Sequence, residues 1–520
     1  MRRGAGSLAL CLALVTTLLT ACSGDGGETV RLRVLASPDL AVLAPLLGDL
    51  KDETGVDLRL DHRTDAETKT LDRDRYDLAW LSSDSYLRLT GKTAVRGLQR
   101  TPTMTSPVVI GLKPDVARKL RTQVPGGRLT WADIADAAAT GTLRFGMADP
   151  RHAGSGLAAL VGVATAAAGT GAALRPEDVS CDRLRGFRSG QTLTAGTGPA
   201  LVDSYTDHQD GTDALITYES DLLALNATDR LHDRLEVVRP EDGMVLADFP
   251  LLLLDPAHRT AYDKVTQWLL RDSVQRRIMR HTLRRPVNTT VTRDAPLREP
   301  VGNALFYPDR PGVLGALLAD YGDPGRRTTS QVVFLLDFSG SMRGTRMAAL
   351  REAFAGLSGA DPSASGKFTR FYRGERLTVV RFGGRVLEEK TVTVTGPEDL
   401  KALAGSVARG GYGDATALWS ALDRGYRTAA RELAADPGRS VSLVLMTDGE
   451  NNAGLPYAEF VRRHKALPAA VRAAVRTYPI HFGEADAGEL RRAAARTGGR
   501  MVDATGSSLS KAFKEIRGCH

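Results

Sequence analysis

Residues 332–344 read VVFLLDFSGSMRG. An uninterrupted apolar run has the length and character of a strand buried on both faces of a sheet. It opens into a carboxylate and two hydroxyls spaced two apart, Asp337, Ser339 and Ser341. Two later segments carry matching chemistry. Residues 413–418 read GDATAL and offer Thr416, and the apolar strand in VSLVLMTDGENN (441–452) ends at Asp448. An open parallel sheet gathers the loops at the carboxyl ends of its strands, so these five oxygen-bearing side chains are expected at one edge. Short oxygen ligands suit a hard divalent cation. Because three of the five are neutral hydroxyls, the ion keeps Lewis acidity for a carboxylate supplied from outside. A lone Asp-x-Ser-x-Ser would be weak evidence; three loops in this order make a specific signal.

Together these residues resemble the von Willebrand factor A domain and its metal-ion-dependent adhesion site. The resemblance runs over 329–516 and includes the late strand TYPIHFG (477–483) and the stretch ELRRAAARTGGRMVDATG. It implies a Rossmann-like fold in which Ser339, Ser341 and Thr416 coordinate Mg²⁺ directly, with Mn²⁺ or Ca²⁺ as alternatives. Asp337 and Asp448 would act mostly through water. It also implies a protein partner that presents an acidic group.

Upstream, strand-like segments alternate with helical ones, the pattern of an α/β sheet. VRLRVLA (30–36) runs into Ser37-Pro38-Asp39, an N-cap, a first-turn proline and an early acid. Helical spacing then holds from Leu40 through Leu50 to Gly55. VDLRLDH (56–62) alternates, and YDLAWLSSDSYLRL (76–89) again goes from strand to a Ser-Ser-Asp cap. The alanine-rich stretch VGVATAAAGTGAAL (161–174) reads as a helix ending at glycines.

Taken in order with TPTMTSPVVIGLKPD (101–115), GMADPRHAGSGLAAL (146–160), DALITYESD (213–221), VVRPEDGMVLADFP (237–250) and the helix ending in HTLRRPV, these elements resemble an extracellular solute-binding protein over 30–290. The resemblance implies a type II periplasmic-binding fold, two α/β lobes around a cleft, with the chain crossing near 105 and returning after about 218. Helix N-termini and short hydroxyls attract polar or anionic groups. Ser37, Ser82, Ser83, Thr105, Ser106, Ser155 and Tyr218 are therefore the candidates for a small solute.

The N-terminus indicates where the chain works. Met1-Arg2-Arg3 and the apolar residues 8–21 form a secretory signal too short to span a bilayer. Leu19-Thr20-Ala21-Cys22 resembles the lipobox of bacterial lipoproteins, which implies removal of 1–21 and lipidation of Cys22. Residues 22–29 form a flexible tether. The expected location is the extracytoplasmic face of the cell membrane. Cys11 leaves with the signal and Cys22 takes lipid, so Cys181 and Cys519 remain as a pair in an oxidising compartment. In von Willebrand factor A domains the last helix ends opposite the metal, which brings Cys519 toward the first module and makes a Cys181–Cys519 disulfide an expectation.

The formal charge of +8 falls by two once Arg2 and Arg3 are removed, and arginine dominates it. That balance favours anionic surroundings. With 6% aromatic residues and no basic patch interleaved with aromatics, nucleic acid is not an expected partner. The densest basic cluster, Arg276, Arg277, Arg280, Arg284 and Arg285, reads as the solvated face of one helix. Residues 291–328, rich in Pro, Gly and Thr, read as a linker.

Neither a Gly-x-Ser-x-Gly elbow nor a His-Glu-x-x-His motif occurs, so no hydrolase is indicated. The reading is a non-enzymatic, lipid-anchored binding or adhesion protein. The alternative is a solute receptor or sensor for a membrane permease, with the second module as its docking element.

Overall fold

A computed structural model describes residues 29–519, apart from 65–66, 68–70, 91–96, 180–182 and 324–329. Three sheets organise the chain. In the first, strands Val56–His62, Val30–Ala36 and Leu78–Trp80 run parallel. Pro250–Leu253 and then Arg100–Pro102 are added in antiparallel pairings. Leu32, Val34, Leu78 and Trp80 are buried here, as their apolar runs require. The second sheet centres on Ser106–Leu112, flanked by Ala214–Tyr218 and Met244–Ala247, with Phe145–Met147 and Gln191–Leu193 beyond. Its strand Ser106–Leu112 is buried along its length, as expected of a central strand.

These two sheets are the two lobes. The chain crosses between Pro102 and Ser106, as anticipated near 105. The return is not after 218. Strand Ala214–Tyr218 and helix Glu219–Asn226 stay in the second lobe, and the crossing back falls between Met244–Ala247 and Pro250–Leu253. Phe249 makes that turn at a φ of 40°, a strained conformation for a bulky residue. The alanine-rich helix spans Gly154–Ala168 and stops at Gly169, whose φ of 68° suits glycine.

The span read as a linker contains ordered elements. Leu297 and Val291 pack on Met279, Ala304–Leu305 joins the second sheet beside Met244–Val245, and helix Pro311–Gly322 buries Val313, Leu314, Leu317 and Tyr321. Arg188 bonds Asp320 at 3.1 Å, fixing that helix to the second lobe.

The third sheet has the order Val386–Thr393, Arg376–Phe382, Ser330–Asp337, Ser440–Thr447, Arg476–His481, Val502–Asp503. All pairings are parallel except that of the edge strand Val386–Thr393. Helices cover both faces, giving two cores, one around Phe334, Phe354 and Phe513 and one around Trp419, Tyr426 and Phe460. This module docks on the second lobe through helix Ala364–Thr369, which lies against helix Trp131–Ala139. Phe368 enters the core of the first half. Lys367 pairs with Asp133 and Arg370 with Asp136, each at 2.5 Å, and the Arg373 N–H donates to the Ala139 carbonyl at 2.7 Å.

Candidate functional sites

Strands Ser330–Asp337 and Ser440–Thr447 are hydrogen-bonded neighbours that end together, so Asp337 and Asp448 emerge at the same sheet edge. The Asp337 carboxylate is buried. It accepts from the Ser339 N–H at 2.8 Å and from the Thr447 hydroxyl at 2.7 Å. Burial outweighs those bonds and pushes its pKa up to about 6. The Ser339 and Ser341 hydroxyls lie 3.0 Å apart, and Ser341 donates to Asp448 at 2.9 Å.

The loop carrying Thr416 is held from both sides. Gly413 N–H donates to the Phe338 carbonyl at 2.9 Å. Asn452 accepts from the Thr416 N–H at 2.7 Å, and its own N–H donates to the Thr416 carbonyl at 3.0 Å. A β-carbon on Gly449, next to Asp448, would stand 3.8 Å from the Thr416 hydroxyl oxygen. Asp337, Ser339, Ser341, Thr416 and Asp448 are therefore brought to one edge. With no thiol or imidazole in it, the donor set is that of a hard divalent ion.

Sequence reasoning passed over Asn452, which holds the Thr416 loop, and two further residues here. Thr447 orients Asp337, and Arg346 forms an ion pair with Asp448 whose Nη2 also reaches within 4.0 Å of Glu484. Arg346 sits in the first turn of helix Thr345–Ala355, where the helix dipole disfavours a cation. The Asp448 carboxylate holds it there. The four-residue spacing from Gly-Ser-Met and the position at a helix start were the signals available in the sequence.

The cleft candidates separate into groups. Ser83 caps a turn by accepting from the Ser85 N–H, and Ser106 accepts from the Ser220 N–H at the start of helix Glu219–Asn226. Thr105 pairs with Arg285 through both backbone bonds, at the crossing between lobes. Ser82 is buried, and its carbonyl accepts from the Phe249 N–H. Ser37, Ser155 and Tyr218 are buried where the lobes face each other, with Tyr218 edge-on to Phe249.

The arginine cluster is not one solvated face. Arg276 and Arg280 are exposed, but helix Asp272–Thr282 ends at Leu283, whose φ of 54° turns the chain inward. Arg284 and Arg285 are thereby buried between the lobes. Arg285 makes two bonds to the buried Glu219, at 2.6 and 2.9 Å, and Arg239 shares that carboxylate. Arg284 donates to the Asp39 carbonyl at 2.5 Å and stacks 4.0 Å over the Phe249 ring. A helical period cannot reveal that the helix stops one residue before two of its arginines.

Cys22 and Cys181 lie outside the described residues, as does the side chain of Cys519. Among the described residues no helix is long and apolar enough to cross a membrane.

Residues 32–283 match the family model described as bacterial extracellular solute-binding protein, and residues 331–516 match the von Willebrand factor type A domain. Among solved structures, this chain is similar to a periplasmic thiamin binding protein, at 12% identity and TM-score 0.43, covering 59% of this chain and 99% of that one. A ferric binding protein from Campylobacter jejuni matches at 10% identity and TM-score 0.40, covering 56% and 96%. A von Willebrand factor type A structure from Catenulispora acidiphila matches at 20% identity and TM-score 0.28, covering 37% and 42%. A search of curated proteins returned no match.

Proposed function

We propose that this chain, a bacterial extracellular solute-binding module followed by a von Willebrand factor type A module, is a lipid-anchored extracytoplasmic binding protein whose second module grips an acidic partner through a divalent metal. The two family matches support a binding or receptor role, and no enzyme family is indicated. The observation that supports the metal is the meeting of Asp337, Ser339, Ser341, Thr416 and Asp448 at the carboxyl edge of the third sheet.

Ser339, Ser341 and Thr416 would hold the ion directly, with Asp337 and Asp448 orienting its water. The ion supplies Lewis acidity to a partner carboxylate. The chain supplies the rest. Asn452 fixes the Thr416 loop, Thr447 fixes Asp337, and Arg346 covers Asp448 until that carboxylate is needed. Arg343, stacked 5.1 Å from the Tyr412 ring centroid, adds positive charge near the same edge, which suits an acidic partner. Lipid at Cys22 would place the solute-binding module near the membrane.

Calorimetric titration of Mn²⁺ into the EDTA-treated mature chain tests the metal. One binding event is expected, lost in Ser341→Ala and in Thr416→Ala; equal heats in both variants would remove the reading. A second reading, a solute receptor, is favoured by the buried Ser155 hydroxyl between the lobes, which has no hydrogen-bond partner among the described residues.

A further inference from the structure

Where the two lobes face each other, oxygens from three elements converge on the open side of Gly198. A β-carbon there would stand 2.8 Å from Asp39 Oδ1, 3.7 Å from Asp221 Oδ2 and 3.7 Å from Ser155 Oγ. Asp39 comes from the first lobe, in the turn after strand Val30–Ala36. Ser155 and Asp221 come from the second lobe, in the first turns of helices Gly154–Ala168 and Glu219–Asn226. Glycine is the residue this approach permits, because any side chain would strike the Asp39 carboxylate.

Asp39 and Ser155 are buried and Asp221 is half-buried, and the partners of these oxygens are few. Asp39 accepts one bond, from the Ser37 hydroxyl at 3.3 Å, and Asp221 accepts from Thr217 at 2.8 Å and Ser220 at 3.4 Å. Ser155 is fully buried, and its hydroxyl has no hydrogen-bond partner among the described residues. Among those residues, neither carboxylate has a cation within salt-bridge distance. Arg284 is near enough to act on both through space, but its close bond goes to the Asp39 backbone carbonyl. Arg239 and Arg285 are both bonded to Glu219, so Arg284 is the guanidinium that acts on the two carboxylates. A buried charge is costly unless it is neutralised. Burial accordingly raises both acids, Asp39 to about 6, where its neighbour Asp221 adds to the effect.

Carboxylate and hydroxyl oxygens accept hydrogen bonds, so the group they suit is a cationic donor. We propose that the cleft takes a small solute bearing a protonated amine, whose ammonium is held between Asp39 and Asp221 and donates to Ser155 Oγ. The proposal rests on the reading of the first module as a solute receptor and is independent of the metal edge, which belongs to the second module. It also separates the cleft candidates of the sequence: Ser155 and Ser37 belong to the site, the latter by orienting Asp39, whereas Ser83 and Ser106 are committed to backbone groups.

The test is calorimetric titration of the full mature chain in EDTA with ethanolamine, putrescine and choline, using glycerol and KCl as controls. Working in EDTA means that failure of the metal reading leaves the outcome untouched. The expected result is saturable one-to-one binding of a primary amine, with choline at least tenfold weaker because it offers no N–H. Asp39→Asn and Asp221→Asn should each weaken binding at least tenfold. Ser155→Ala removes a hydroxyl with no partner among the described residues and should weaken it several-fold, which keeps the test readable if an Asp variant does not fold. No binding by either primary amine, binding unchanged in all three variants, or displacement by K⁺ as effective as by amine would each overturn the proposal.

Discussion

Asp337→Asn offers the sharpest test of the metal edge, because the same side chain that should hold an ion also burdens the metal-free fold. Its carboxyl is fully buried and is raised from its ordinary 3.8 to about 6. A group raised in the folded state contributes stability while protonated, below the unfolded value, and loses it as pH climbs through the folded value. At 1.36 kcal/mol per pKa unit, the ionised carboxylate costs the metal-free protein about 3 kcal/mol at pH 7.5. Asparagine removes that charge. It can still accept one of the bonds from Ser339 and Thr447 but not both on charged oxygens, a loss of about 1 kcal/mol. The net expectation is a metal-free variant about 2 kcal/mol more stable at pH 7.5. For a domain of this size that is about 4–8 °C in melting temperature.

The gain should shrink between pH 6 and pH 4 and change sign below it, where the wild-type acid is already neutral and only the lost bond remains. Added Mn²⁺ should raise the melting temperature of the wild type and leave the variant unmoved. Differential scanning calorimetry of the full mature chain in EDTA, at pH 4 and 7.5, reads all of this. A variant less stable than wild type at pH 7.5, together with an Mn²⁺ shift of wild-type size, would refute both the burial argument and the metal assignment.

Other expectations concern the rest of the chain. Arg517 forms a paired ion bridge with the fully buried Glu375 and also donates to the Thr369 and Arg370 carbonyls. Arg517→Met strands that carboxylate and should cost about 3–5 kcal/mol in urea unfolding; a change below 1 kcal/mol would show that Ser330 and Tyr372 suffice to hold Glu375. Cys22→Ser should move the protein from the membrane fraction to the soluble one, since stable anchoring depends on buried acyl chains, and persistence in the membrane would end the lipoprotein proposal. Glu177 and Arg183, which flank Cys181, line the same cavity as Lys511, Lys514 and Glu515, just before Cys519. Non-reducing peptide mapping should therefore find a Cys181–Cys519 peptide, and two alkylatable thiols in the native protein would rule it out.

Much of the architecture was carried by local pattern. An apolar strand buried on both faces has to read VVFLL, and loops that meet at a parallel sheet edge have to carry their ligands at the strand ends. The meeting of Asp337, Ser339, Ser341, Thr416 and Asp448 at one sheet edge was therefore legible in the sequence. The helix ending at Gly169 and the crossing near 105 were legible for the same kind of reason, a conformation that only certain residues take. What the sequence left open were contacts between parts distant along the chain. Leu283 adopts a left-handed turn that no propensity demands, and so Arg284 and Arg285 go inward to Glu219 and the Asp39 carbonyl instead of into water. Ser106 and Ser155 look alike in sequence, yet one is spent on a helix N-terminus 114 residues away and the other faces Gly198 and two carboxylates. Burial decides what a polar side chain must do, because an unpaired buried group is costly and a solvated one is not. Which groups are buried together is fixed only when the two lobes close and the second module docks against helix Trp131–Ala139.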